Sequence, residues 1–212
     1  MKTKFQYRLT SALSTLSKAA VAKKMIAMLL LALSLPAFAA LEVAGVKFDD
    51  KAKVGTGDTV INGAGLRKKV FFKVYAIALY LPQKQSVATD VLAAKGAKRI
   101  ALVTLRDLTA EEFVDALLEA LRKNHDEAAL TALKPRIDQF RTNMLSIANA
   151  PEKSVVHLDY LPESGTRLTF NGAAKGGDIA GEDFYRALMK IWLGEHPAQD
   201  DLKEQLLGKP AS

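Results

Sequence analysis

Arg67 and Tyr75 stand eight positions apart, separated by the run Lys68-Lys69-Val70-Phe71-Phe72-Lys73-Val74, and of all the residues here they are the pair best suited to hold an anion. A guanidinium beside small glycines, here Gly63 and Gly65, can present a planar fork of donors to a carboxylate or an enolate. A tyrosine hydroxyl aimed at the same point would add a third donor. Set at the end of an apolar cavity, the two would bind an amphipathic anion headfirst. A plainer reading of the same residues makes Arg67-Lys68-Lys69 a solvated turn and Tyr75 a core side chain with its hydroxyl at the edge.

Other chemistries find less to work with. His125, His157 and His196 are scattered and none has the spacing of a metal-ligand motif, so no metal and no cofactor is expected. His125 and His196 fall at expected helix ends, where capping or surface roles suffice, and His157 alternates with apolar residues in a strand. The absence of cysteine excludes disulfides, zinc-thiolate sites and thiol nucleophiles. No G-x-S-x-G elbow is present for a serine hydrolase. The short glycine pairs, Gly55 with Gly57 and Gly63 with Gly65, lack the following helix of a phosphate loop and read as turns. Glu111-Glu112 and Asp200-Asp201 lie at helix starts, where acids favour the macrodipole.

The elements that must position Arg67 and Tyr75 follow from periodicity. Residues 41–81 read as strands (LEVAGVKF, TVING, VFFKVYAIALYLP) divided by turns at Asp49-Asp50, at 55–58 and at Gly63-Ala64-Gly65. In residues 70–81 both alternating sets are largely apolar, so something packs on each side of that strand. A short helix is expected over 86–95 and a strand over 98–106. Thr109 and Glu112 form a capping box ahead of a helix whose apolar stripe is Phe113, Ala116, Leu117, Ala120 and Leu121. A second helical stretch runs from Leu130 to Ile147, with a break or a fresh start expected at Pro135. Residues 154–161 and 166–171 read as a hairpin, and a further short strand is expected within 175–179. A helix bearing Phe184, Ala187, Leu188, Ile191 and Trp192, ended by Gly194, and a shorter one over 199–207 close the chain. Strands, helices, strands, helices is an α+β order. It predicts a large antiparallel sheet with helices on one face and ligand space between the two layers.

The first 39 of the 212 residues read as a secretory signal peptide. Six basic residues and no acid precede the apolar run 25–35, and Ala37-Phe38-Ala39 has the small-residue spacing of a cleavage site. That run is too short to span a bilayer, which takes roughly 20 apolar residues. Removing the segment takes 30 basic against 23 acidic residues to 24 against 23, so the net charge falls from +7 to +1. A nearly neutral chain lacks the basic face that nucleic-acid binding requires. The expectation is one domain over 40–212, exported and soluble, without an integral membrane span, and periplasmic if the source is Gram-negative.

The stretch GAGLRKKVFFKVYAIALYL, residues 63–81, resembles the chalcone isomerase fold family, in which a Gly-x-Gly-x-Arg turn leads into a strand of the form K-[FV]-[TY]-A-x-x-[VLY]-Y. The likeness is to its bacterial exported members and extends through LRDLTAEEF and LMKIWLGEHP. It implies an open-faced β-sandwich, with a large antiparallel sheet covered on one face by a layer of helices. It also implies two functions. The plant enzymes close a chalcone to a flavanone by intramolecular oxa-Michael addition, whereas related non-catalytic members hold a fatty-acid carboxylate with an arginine and a tyrosine.

Carried over by position, the family arginine is Arg67. The enzymes' threonine on the next strand falls on Tyr75, where this sequence resembles the fatty-acid binders. Their helical tyrosine falls on Phe113, their nearby asparagine on or near Ala120, and a late threonine or serine near 184–186. Catalysis needs donors aimed at charge that develops in the transition state. Binding needs one charge-assisted contact and apolar burial. Arg67, Tyr75, Phe113 and Ala120 are therefore the expected ligand-binding residues, with a small hydrophobic carboxylate as partner and no turnover. An isomerase acting on an enone-like substrate is the alternative, and a structural or partner-binding role a third.

Overall fold

The computed structural model describes residues 40–210, so the expected signal peptide lies outside the described residues. Among the described residues there are eleven strands: β1 Leu41–Val43, β2 Val46–Phe48, β3 Lys51–Val54, β4 Gly57–Lys69, β5 Phe72–Leu81, β6 Lys98–Thr104, β7 Leu108–Thr109, β8 Asn149–Ala150, β9 Val155–Leu161, β10 Gly165–Phe170 and β11 Ala173–Ala174. Five helices accompany them there: α1 Ala88–Ala93, α2 Ala110–Asn124, α3 Glu127–Leu145, α4 Glu182–Leu193 and α5 Asp200–Leu206. Seven strands form one antiparallel sheet in the order β11-β10-β9-β6-β5-β4-β3.

Strand alternation sorts the side chains of that sheet onto two faces. Tyr75, Ile77, Leu79 and Leu81 of β5 join Ile100 and Leu102 of β6 and Val156 and Leu158 of β9 in the main core, beneath Leu117 and Leu121 of α2 and Phe184, Leu188 and Trp192 of α4. The opposite parity, Ala76, Ala78 and Tyr80, packs with Phe48, Ile61 and Ala101 under the β1–β2 hairpin. Both sides of β5 are thus covered, by helices on one side and a small hairpin on the other. Beyond that hairpin the outer face is polar, and the bidentate Arg99–Asp159 pair spans β6 and β9 there.

Three expectations are corrected. Gly63-Ala64-Gly65 is not a turn but the middle of β4. A Cβ at Gly63 would collide with the backbone carbonyls of Gln205 and Leu206, and one at Gly65 with the side chains of Gln205 and Leu202. These glycines let α5 lie directly on the strand. Asn62, the extra residue of a bulge opposite β5, secures the contact by donating to the Leu206 carbonyl at 2.7 Å and exchanging two bonds with Gln85. The reversal falls instead at Val70-Phe71, so Val70 belongs to the turn and not to the strand.

Pro135 neither breaks nor starts a helix, because α3 runs through it. The bond it forfeits is to the Thr131 carbonyl. Both residues are exposed, so water can replace the missing donor. The late strand expected within 175–179 is β11 at Ala173–Ala174, and Ile179 makes only a single bridge to Thr166. Gly176, at φ +69°, turns the chain between them.

Candidate functional site

Register brings the two donors together. Arg67 of β4 is the direct cross-strand partner of Tyr75 of β5, on the helix-covered face, and a bulge at Val74 lies immediately beyond the pair. Opposed residues on one face have their Cβ atoms about 5 Å apart, which eight residues of sequence do not guarantee. The Thr109–Glu112 capping box is formed, with the Thr109 hydroxyl accepting from the Glu112 amide and the Glu112 carboxylate from the Thr109 amide. It sets the start of α2, which carries Phe113 over Tyr75, with ring centroids 6.1 Å apart.

The Tyr75 hydroxyl accepts a hydrogen bond from the Trp192 indole of α4 at 3.0 Å, in a buried setting. An indole N–H can only donate, so the tyrosine keeps its own proton for another acceptor, and it donates to none among the described residues. Burial pushes the Tyr75 phenol above its usual range, while the bond from Trp192 and the nearby Arg67 guanidinium partly oppose the rise. At neutral pH it is a hydrogen-bond donor and not a base.

Arg67 is half-buried and held in place by Gln199, the residue just before α5. Its Nη1 donates to Gln199 Oε1 at 3.2 Å and to the Lys68 carbonyl. The same Oε1 accepts from the Lys68 amide at 2.8 Å, and Gln199 Nε2 donates to the Leu66 carbonyl at 3.1 Å. One amide side chain thus closes the end of β4 and aims the guanidinium.

Arg67, Tyr75, Phe113 and Ala120 all line one cavity of about 540 Å³, between the sheet and α2, that also reaches the end of α4. Val74, Leu108, Ala116, Ile191 and Ala198 add to its apolar lining, and Lys69, Glu112, Asp115, Glu119 and Lys123 are the exposed charges around it. The stripe expected on α2 is divided in use. Leu117 and Leu121 enter the core with Val114, while Phe113, Ala116 and Ala120 face the cavity.

Three lining or supporting residues were not singled out in the sequence. Arg106, between β6 and β7, also lines the cavity, and its Nε is buried without a partner among the described residues. An arginine that closes an apolar strand just before a helix cap was the available signal. Periodicity places Trp192 only in the core stripe and Gln199 only at a helix start. Their partners Tyr75 and Arg67 are 117 and 132 residues away, beyond any local pattern.

The histidines are placed apart. His125 Nδ1 lies 3.0 Å from the Leu121 carbonyl at the end of α2, a capping role. His157 sits in β9, and His196 lines the outer part of the cavity. Among the described residues no cluster of His, Asp or Glu could hold a metal ion, and no helix is long and apolar enough to cross a membrane.

Comparison with known proteins agrees with this architecture. A family model described as chalcone isomerase-like matches residues 40–208. No curated relative matches the chain. Among solved structures, a fatty-acid binding protein of Arabidopsis thaliana superposes with a TM-score of 0.60 at 17% identity, covering 77% of this chain and 92% of that one. At that identity the likeness is one of fold.

Proposed function

The chain belongs to the chalcone isomerase-like family, and we propose that it binds a small amphipathic anion of the fatty-acid class in the cleft between sheet and helices, without turning it over. The observation that carries this is the free proton of Tyr75, kept free by the donor-only indole of Trp192 and set beside Arg67 on a shared strand pair. A carboxylate there would accept from both. The apolar residues around them suit a hydrocarbon tail, and the volume lies within the range of small-ligand sites.

Magnitudes separate the roles of head and tail. Each buried methylene contributes about 0.8 kcal/mol, so ten contribute about 8 kcal/mol. A hydrogen bond to a charged group adds about 1.5–3 kcal/mol. The tail supplies most of the affinity, and Arg67 with Tyr75 supplies orientation and selection for an anion. The isomerase alternative is less well served. Where the resemblance puts a tyrosine and an asparagine, the cleft carries the Phe113 ring and the Ala120 methyl, neither of which can stabilise developing charge.

Lipid extraction and native mass spectrometry of the purified protein test the proposal. They should reveal a bound acyl anion. In titrations read by Trp192, the single tryptophan, Tyr75→Phe should weaken fatty-acid binding about tenfold or more, the loss of one charge-assisted bond. Arg67→Ala loaded as fully as wild type would remove Arg67 from the role. Export is part of the same proposal, and N-terminal sequencing of secreted protein should begin at Ala40.

A further inference from the structure

The turn between β4 and β5 is built against the ordinary rules of a hairpin. Val70 and Phe71 are its two central residues, closed by the Lys69–Phe72 pair. Val70 has φ +55°, a left-handed conformation that β-branched residues rarely adopt and that such turns usually assign to glycine or asparagine. Directly behind the turn, Lys68 faces Lys73 across the strands, a like-charge pair that disfavours the pairing. Two features that work against folding coincide at one tip.

The same tip displays unusual surface. Val70 is 79%, Phe71 94% and Phe72 64% exposed, and Lys68, Lys69 and Lys73 surround them. No acidic residue occurs between Asp58 and Asp90. Of the acids that line the cavity below this tip, all on α2, Glu119 is paired with Lys123 and Glu112 with Arg106, which leaves Asp115; Asp200 and Asp201 follow Gln199 at the start of α5. Aromatic rings ringed by lysines suit the boundary between the anionic headgroups and the acyl chains of a bilayer. Lys69 and Phe72 belong to this tip and to the cavity lining at once.

We propose that the β4–β5 tip is a membrane-docking element. It places Val70, Phe71 and Phe72 in the headgroup layer of an anionic bilayer, sets Lys68, Lys69 and Lys73 against the lipid phosphates, and brings the cavity mouth to the lipid surface. Docking stands on the tip alone. Passage of a lipid anion from bilayer to cavity rests in addition on the function proposed above.

Vesicle flotation separates these claims. Wild type should float with phosphatidylcholine vesicles that contain phosphatidylglycerol, bind pure phosphatidylcholine far less, and be released by salt. Lys68→Gln with Lys73→Gln should lower the partition constant about fivefold per charge removed. Val70→Gly with Phe71→Ser installs residues the turn prefers, so Tm should rise while vesicle binding falls at least tenfold. A misfolded variant could not give that combination. Neither residue lines the cavity, so fatty-acid binding in solution should be retained, whereas Tyr75→Phe should lose the fatty acid and keep the vesicle. A wild type that ignores anionic vesicles, or a Gly-Ser variant that binds them as well as wild type, overturns the proposal. So would a wild type that instead dimerises or captures a protein through this tip.

Discussion

Tyr75 shows how much one hydrogen bond can settle. If its partner were a carbonyl, the hydroxyl would spend its proton inside the core and offer a ligand only lone pairs. Because Trp192 can only donate, the proton stays available on a residue that lines the cavity together with Arg67. Trp192→Phe should therefore act without touching the ligand. The freed hydroxyl can turn to another partner, and fatty-acid affinity should fall severalfold while the core loses about 1 kcal/mol. Equilibrium denaturation beside a displacement assay measures both. Gln199→Leu tests the other donor. It removes the acceptor that aims Arg67 and leaves the charge in place, so affinity should fall by less than in Arg67→Ala. An Arg67 that binds equally well without Gln199 would show that the guanidinium orients itself.

At the scale of elements, the contact of α5 on β4 is the joint that holds Arg67 in the lining of the cleft. It depends on bare backbone at Gly63, where an added methyl would meet the carbonyls of Gln205 and Leu206. Gly63→Ala should destabilise by about 1–3 kcal/mol, as overpacking does, with faster amide exchange in α5. Gly65→Ala should cost less, since the atoms in its way are mostly the mobile ends of the Gln205 and Leu202 side chains. Equal losses at the two positions would mean that α5 does not rest on the strand as described. The capping box of α2 was readable from Thr109 and Glu112 alone, since both partners lie within one turn. The role of the glycines was not, because it needs α5, some 140 residues away, on top of them.

For the whole molecule, burial of phenols makes stability depend on pH at the alkaline end. Tyr75, Tyr80, Tyr160 and Tyr185 all have raised pKa values, chiefly through burial, with Tyr80 pushed up to about 12. Unfolded tyrosines ionise near pH 10. Their contribution is thus complete below about pH 10 and is lost as pH rises through the folded values, since the unfolded chain gives up its protons first. Tyrosinate absorbance of these four should appear together with loss of circular dichroism. Ionisation of any of these four near pH 10 in a chain that keeps its native dichroism would contradict this. The acid side runs the other way. Asp178, Glu182 and Asp183 are held below the usual range by Arg167, by Lys95 with Lys98, and by Arg136. The stability they add is present at neutral pH and lost as pH falls through their lowered values.

Much of this was legible in residues 40–210 because it is local. Alternation of period two marked β5 as covered on both sides, a 3.6-residue stripe marked α2 and α4, and the order of elements marked the α+β sheet with helices on one face. Arg67 and Tyr75 stood out by residue type and by their place after the glycines. Only the tertiary structure decided what those residues meet. A strand's register and bulges are set by its partners, so no local pattern could show that Arg67 faces Tyr75, that the reversal falls at Val70-Phe71, or that Gly63 and Gly65 carry a helix. Helix α3 continues through Pro135 because the orphaned carbonyl lies on an exposed face. Residue type offers the donors, and long-range packing chooses which of them share a cavity.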